Sequence, residues 1–135
     1  LVLSLLWSAG QAYEPDYEAP EQVAGATTIT VEQAKSLHDS GVPFVDVRNP
    51  RLYARRHIPG AVHLDLYDDF NLANLHAVAR PDEPVVFYCS GARCSRSSQA
   101  AEWAVEWGHS RVHYFRGGIV AWRDRGLPLD GAEVD

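Results

Sequence analysis

Val85-Val86-Phe87-Tyr88, entered from Pro84 and closed by Cys89, is the stretch that most limits how this chain folds. Four consecutive apolar residues, β-branched then aromatic, suit a strand buried on both faces, as in a parallel sheet. Ser90, Gly91 and Ala92 follow, small residues that let backbone N–H groups turn inward. Arg93, Cys94, Ser95, Arg96, Ser97 and Ser98 come next. From Gln99 the apolar spacing becomes helical: Ala100, Ala104 and Trp107 share one face, with Trp103 beside them. Gly108 suits the end of that helix. The segment reads as strand, tight loop and helix, with a cysteine at the carboxyl end of the strand.

The same alternation runs through the rest of the chain. Ile29 lies in a short β-like stretch, and Thr30-Val31-Glu32-Gln33 is a capping box. It predicts a helix to about Asp39 with Val31, Ala34 and Leu37 inward, ended by Gly41. Pro43–Val47 reads as a buried strand. Asn49-Pro50 then caps a short helix, Arg51–Arg55. Ile58-Pro59-Gly60 turns the chain into a strand over Ala61–Leu66. Asp68 and Asp69 sit where acids suit a helix start, and Leu72, Leu75 and Ala79 follow at helical spacing. A turn at Pro81–Pro84 leads to the central strand. Arg111–Phe115 is a further strand, Gly117-Gly118 allows close backbone approach or positive φ, and Ile119–Arg125 is a helix closed by Gly126 and Pro128. Strands alternating with helices predict an α/β fold, a parallel sheet with helices on both faces. Ligand sites in such sheets lie at the carboxyl ends of strands, where Cys89 stands.

A chain of 135 residues has room for one domain with a real core. The net charge of −6 argues against a nucleic-acid-binding surface, which needs a basic field. Two cysteines five positions apart form neither a disulfide framework nor a zinc site. His38, His63, His76, His109 and His113 are scattered, so no metal and no organic cofactor is expected. No Ser-His-Asp logic is visible. Leu1–Leu6 with Trp7 is apolar, and Gly10 and Ala12 stand two apart, like the small residues before a signal-peptidase cut. Residues 1–12 are expected to be a truncated export signal, which places the protein in the periplasm or otherwise outside; the other reading is an apolar arm packed on the domain. The run is too short for stable membrane insertion, which takes about 20 residues. Residues 13–26 read as an extended acidic leader, 27–130 as the domain and 131–135 as a tail.

A helix N-terminus favours anions, and a thiolate is an anion. Nearby arginine and such a terminus lower a cysteine pKa from about 8.5 to roughly 3.5–7.5. Cys89 is therefore a candidate nucleophile, with Ser90, Gly91, Ala92, Arg93, Cys94, Ser95 and Arg96 as the cradle for an anionic substrate. The bland alternative is a buried small hydrophobe.

Three segments in order resemble the rhodanese-like domain family: Phe44-Val45-Asp46-Val47-Arg48 with Tyr53 and His57-Ile58-Pro59-Gly60-Ala61; the Cys89 unit; and Arg116-Gly117-Gly118-Ile119 with Trp122 and Gly126-Leu127-Pro128. They span about Ile29 to Leu129. The resemblance implies a five-stranded parallel core, and it makes Asp46, Arg48 and His57 structural support for the active loop. Arg56 stands where the family commonly has Gly. The implied activity is that of a sulfurtransferase of the thiosulfate type. Cys89 takes sulfane sulfur from a small anionic donor as a persulfide and passes it to a thiol, cyanide or a protein sulfur carrier. The loop departs from the commonest pattern: Gly91 is second after Cys89, Arg93 fourth, Cys94 fifth and Arg96 seventh. It is similar to a subset with a second cysteine in the loop. A phosphatase or arsenate reductase on the same fold is the first alternative, although neither arginine meets a Cys-x5-Arg spacing. A non-catalytic redox or binding module is the second. Cys94 has two open readings, a packing residue or a resolving thiol; a disulfide needs Cα atoms about 4.4–6.8 Å apart.

Overall fold

The computed structural model describes residues 16–133. Its strands are β1 (Ala26–Thr28), β2 (Phe44–Asp46), β3 (Val62–His63), β4 (Val85–Tyr88) and β5 (Val112–Phe115). Its helices are α1 (Val31–Asp39), α2 (Pro50–Arg55), α3 (Leu72–Val78), α4 (Arg96–Glu106) and α5 (Gly118–Asp124). The strands form one five-stranded sheet in the order β1-β5-β4-β2-β3, and every pairing is parallel. β4 lies in the centre, as its unbroken apolar run requires.

Successive residues of β4 feed opposite faces. Val85 and Phe87 join Leu75, Ala79, Ala100 and Ala104 on one side. Val86 and Tyr88 join Ala34, Ile119 and Trp122 on the other. Helices thus cover both faces. Trp122 is fully buried, and its indole N–H donates to the Pro128 carbonyl at 2.8 Å.

Local signals set most helix starts. The Thr30–Gln33 capping box is formed in both directions, and the Asn49 side chain accepts from Leu52 N with Pro50 opening α2. Several boundaries shift by a residue from the sequence reading, and four differences are worth a physical reason. β3 is shorter than Ala61–Leu66. α3 starts after an Asn71 cap, not at Asp68 and Asp69, because the amides of Asp68, Asp69 and Phe70 all turn back to the Asp65 carbonyl. α4 starts at Arg96 rather than Gln99, because Ser97 and Ser98 are buried and polar side chains hide that turn from an apolar pattern. β1 precedes Ile29.

The acidic leader has no regular structure between residues 16 and 25 apart from turns and a bend, yet it is packed. Ala19 and Val23 are buried, Tyr114 Oη donates to the Pro20 carbonyl at 2.7 Å, and Arg116 donates twice to the Ala19 carbonyl. The proposed export signal at residues 1–12 lies outside the described residues. Among those described, no helix is long and apolar enough to cross a membrane.

Candidate active site

Cys89 follows the last residue of β4 and is 1% exposed. It is joined to Cys94 by a disulfide, with the two Cα atoms 6.2 Å apart. Of the two readings of Cys94, the structure therefore places it against the cysteine at the strand end. A turn closed by Cys94 N–H to Gly91 O, 3.0 Å, curls the loop enough for this contact.

The carbonyls of Cys89 and Ser90 accept from Ile119 N and Val120 N, both at 3.0 Å, so the loop caps α5. Gly118 makes this approach possible. It has φ +61°, and a Cβ there would stand 2.4 Å from the Cys89 carbonyl oxygen. The Gly117-Gly118 pair combines both properties expected of it. On the other side, the Ala92 carbonyl accepts from Ala19 N at 2.8 Å, so the leader also braces the loop. The start of α4 is uncapped: Ser95 has helical φ and ψ and its side chain makes no cap bond. The N–H groups of Ser90, Gly91, Ala92, Ser95 and Arg96 donate to no acceptor among the described residues.

The two arginines have different surroundings. Arg96 Nη1 donates to the Val47 carbonyl at 3.0 Å and to Asp65 Oδ1 at 2.9 Å, and its guanidinium lies 4.5 Å over the Tyr67 ring. It ties the start of α4 to the end of β2. Arg93 is exposed and lines a cavity of about 560 Å³. The loop residues Ser90, Gly91, Ala92 and Cys94 form one side of this cavity with Arg93, and Gly117, Val120, Ala121 and Asp124 form the other. Cys94 lines it; Cys89 does not.

Beneath the loop, Asp46 and Arg48 form a buried ion pair, with Nε at 3.0 Å from Oδ1 and Nη2 at 2.8 Å from Oδ2. Arg48 N–H also donates to Asp46, and Nη2 reaches the Arg56 carbonyl at 2.6 Å. Tyr88, which the sequence placed in the sheet, is buried with its hydroxyl accepting from Ile58 N at 3.0 Å. Burial, with the Asp46 carboxylate beside it, holds that phenol well above its ordinary pKa, so it stays neutral. His57 stacks on Tyr53 at 3.9 Å, its Nδ1 is 2.8 Å from the Tyr53 carbonyl, and its backbone exchanges two hydrogen bonds with Asp130. These residues form a connected scaffold under β2 and β4, not groups facing the cavity.

Sequence reasoning missed Asp65, the leader contact and the two α5 amides. Asp65 had a readable signal, an acid between Leu64 and Leu66, both of which are buried. The other two depend on tertiary approach and had none. Among the described residues, no group of three or more His, Cys, Asp or Glu is placed to hold a metal ion.

A parallel α/β sheet carrying a cysteine at the carboxyl end of its central strand, followed by a loop and an uncapped helix, defines a class of cysteine-centred transfer and hydrolytic domains. The family model described as Rhodanese-like domain matches residues 30–125. The chain belongs to the rhodanese-like domain family. It is 38% identical over 95 residues to the thiosulfate sulfurtransferase GlpE of Pseudomonas syringae pv. syringae strain B728a, covering 70% of this chain and 85% of that protein. The BH2092 protein from Bacillus halodurans shares the fold with a TM-score of 0.71 at 22% identity, over 81% of this chain and 80% of that one. A protein of unknown function from Rhodopseudomonas palustris CGA009, described as a possible tyrosine phosphatase, is 31% identical with a TM-score of 0.61, over 79% of this chain and 86% of that one.

Proposed function

We propose that this protein is a sulfurtransferase in which reduced Cys89 is the nucleophile. The observation that carries the reading is the position of Cys89 at the end of β4, followed by an α4 start that has no side-chain cap and whose first N–H groups have no acceptor among the described residues. Such a terminus stabilises a thiolate, and then the terminal sulfur of a persulfide, with its partial positive charge. The thiolate attacks the outer sulfur of a donor such as thiosulfate, and sulfite leaves with the bonding pair. A thiol or cyanide then takes the sulfur, which makes two half-reactions with ping-pong kinetics. Arg93, on the cavity wall, meets the anionic donor and leaving group. No step requires a metal or an organic cofactor.

The relative named as a thiosulfate sulfurtransferase supports this chemistry. The relative described as a possible tyrosine phosphatase favours the second reading, phosphoryl hydrolysis. That reading needs an arginine at the Cys-x5-Arg spacing to cradle the phosphoryl oxygens, whereas Arg93 is fourth and Arg96 seventh after Cys89, and Arg96 is bonded to Val47 and Asp65. Export, signalled by residues 1–12, is part of the proposal, and the disulfide supports it because disulfides persist in oxidising compartments.

The test sets thiocyanate formation from thiosulfate and cyanide beside hydrolysis of an aryl phosphate, using protein reduced beforehand. Sulfur transfer is expected, lost in Cys89→Ser with the fold retained. Aryl phosphate hydrolysis without thiocyanate would replace this reading with the second.

A further inference from the structure

We propose that Cys94 resolves the Cys89 persulfide, so that the protein releases its sulfur as sulfide and ends the turnover as the Cys89–Cys94 disulfide. The inference rests on the sulfurtransferase reading and adds a second fate for the sulfur, one that needs no external thiol at the moment of release. The observation behind it is the disulfide itself, made between the residue at the strand end and a residue of the same loop. A loop that closes this bond brings a second thiol within reach of the inner persulfide sulfur.

The step balances within the loop. The Cys94 sulfur attacks Cys89 Sγ, and the bond between Sγ and the outer sulfur breaks. The outer sulfur leaves with that electron pair, takes the proton from the Cys94 thiol and departs as hydrogen sulfide. The sulfane sulfur is reduced and the two cysteines are oxidised to the disulfide. Exchange of this kind needs an attacking thiolate and an accessible leaving group. The leaving sulfur has the 560 Å³ cavity beside the loop as its exit.

The same geometry decides how the protein is reset. In the disulfide form Cys89 is 1% exposed, while Cys94 lines the cavity. An incoming dithiol therefore meets the Cys94 sulfur first. It forms a mixed disulfide there and expels Cys89 as the thiolate, the species that the neighbouring helix N-terminus favours. The second thiol of the reductant then frees Cys94 and leaves as its own disulfide. The reductant is thus a dithiol, small or carried on a protein, and it is oxidised once for each sulfide released.

The test uses the full chain, reduced, freed of reductant and held without oxygen, with thiosulfate as the donor and no acceptor. The wild type should release one sulfite and then one sulfide per chain, at a rate independent of protein concentration. Its intact mass should end two hydrogens below the reduced form, with Cys89 and Cys94 crosslinked in the peptide map. Cys94→Ser and Cys94→Ala should release the sulfite, keep one added sulfur on Cys89 and lose sulfide release to background. Adding dithiothreitol to the spent wild type should restore a second round, and one equivalent of a monothiol in its place should open the disulfide to a mixed disulfide on Cys94 rather than on Cys89. A wild type that holds its added sulfur as long as the Cys94 variants overturns the resolving role and leaves sulfur transfer standing. Absence of sulfite from every variant overturns the sulfurtransferase reading, and this inference falls with it.

Discussion

Two strand-to-helix junctions lie side by side at the carboxyl edge of the sheet, and they are built on opposite principles. At the β2–α2 junction every prominent polar group has a partner. Asp46 holds Arg48, Arg48 holds the Arg56 carbonyl, and Asn49 caps Leu52. At the β4–α4 junction the helix start has no side-chain cap, and five loop and helix amides have no acceptor among the described residues. The side-chain partners at β2–α2 hold that junction rigid, whereas the uncapped start of α4 is where the proposed function places the anion. Arg96 links them, since it leaves α4 to bond the end of β2.

The largest effect should come from breaking the satisfied junction. Asp46→Ala leaves the Arg48 guanidinium buried without its carboxylate, which costs about 3–5 kcal/mol. Urea unfolding at neutral pH measures it. The double variant Asp46→Ala with Arg48→Met should recover much of the loss, because no uncompensated charge remains. A single-variant loss below about 1 kcal/mol would mean that the pair is not the frame described here.

Next comes the contact that shapes the unsatisfied junction. Gly118→Ala puts a Cβ against the Cys89 carbonyl in a left-handed conformation. The backbone conformation costs about 1–2 kcal/mol and the crowding about 1–3 more. Sulfur transfer should fall with stability, because the loop must shift to relieve the clash. Gly126→Ala is the control. It has positive φ but open space around it, so it should lose stability with transfer unchanged. Equal losses of transfer in both variants would remove the loop contact from the argument.

The two loop arginines then separate support from binding. Arg93→Ala should raise KM for thiosulfate by the loss of a charge-assisted hydrogen bond, about 1.5–3 kcal/mol. Arg96→Ala should instead leave KM unchanged and lower stability by about 1.5 kcal/mol once partial exposure of its ion pair is discounted. An exchange of these two outcomes would make Arg96 the anion ligand and Arg93 the bystander.

These junctions were unequally legible in the sequence. The β2–α2 junction could be read almost whole, because its partners are neighbours in the chain: Asp46 and Arg48 are two apart, Asn49 and Leu52 three. The parallel sheet and its two-sided core could also be read, since β4 carries four buried residues in a row. The β4–α4 junction gave up its cysteine but not its walls. The Arg96 partners are 31 and 49 positions away, and the leader reaches Arg116 across 97. Periodicity carries no information about such pairs. Cys94 was the instructive case. A spacing of five permits a disulfide and permits a buried thiol equally well, and only the curl of the loop decides between them.

The smallest effect lies at the opposite edge of the sheet and tests whether the junctions are separate from the protein's response to acid. His109 precedes β5, is buried, and has no hydrogen-bond partner for either ring nitrogen among the described residues. Burial, with the His76 ring 5.1 Å away, lowers its pKa below the ordinary value of 6.5. The neutral imidazole is therefore the form that fits the fold. In the unfolded chain His109 takes up a proton near 6.5, while in the folded protein it waits for a lower pH. Between those two values the unfolded state binds more protons, so stability rises with pH and is lost as pH falls through that window. Below the folded value both states are protonated and the loss stops growing. His113 is lowered in the same direction by burial and by Arg111, so it adds to the slope with the same sign. His109→Gln should flatten the dependence of the urea midpoint on pH between about 7.5 and 5.5. Adding His113→Gln should flatten it further, and sulfur transfer at neutral pH should be unchanged in both. If the slope survives both substitutions, neither histidine carries the acid response, and groups outside this edge of the sheet set it.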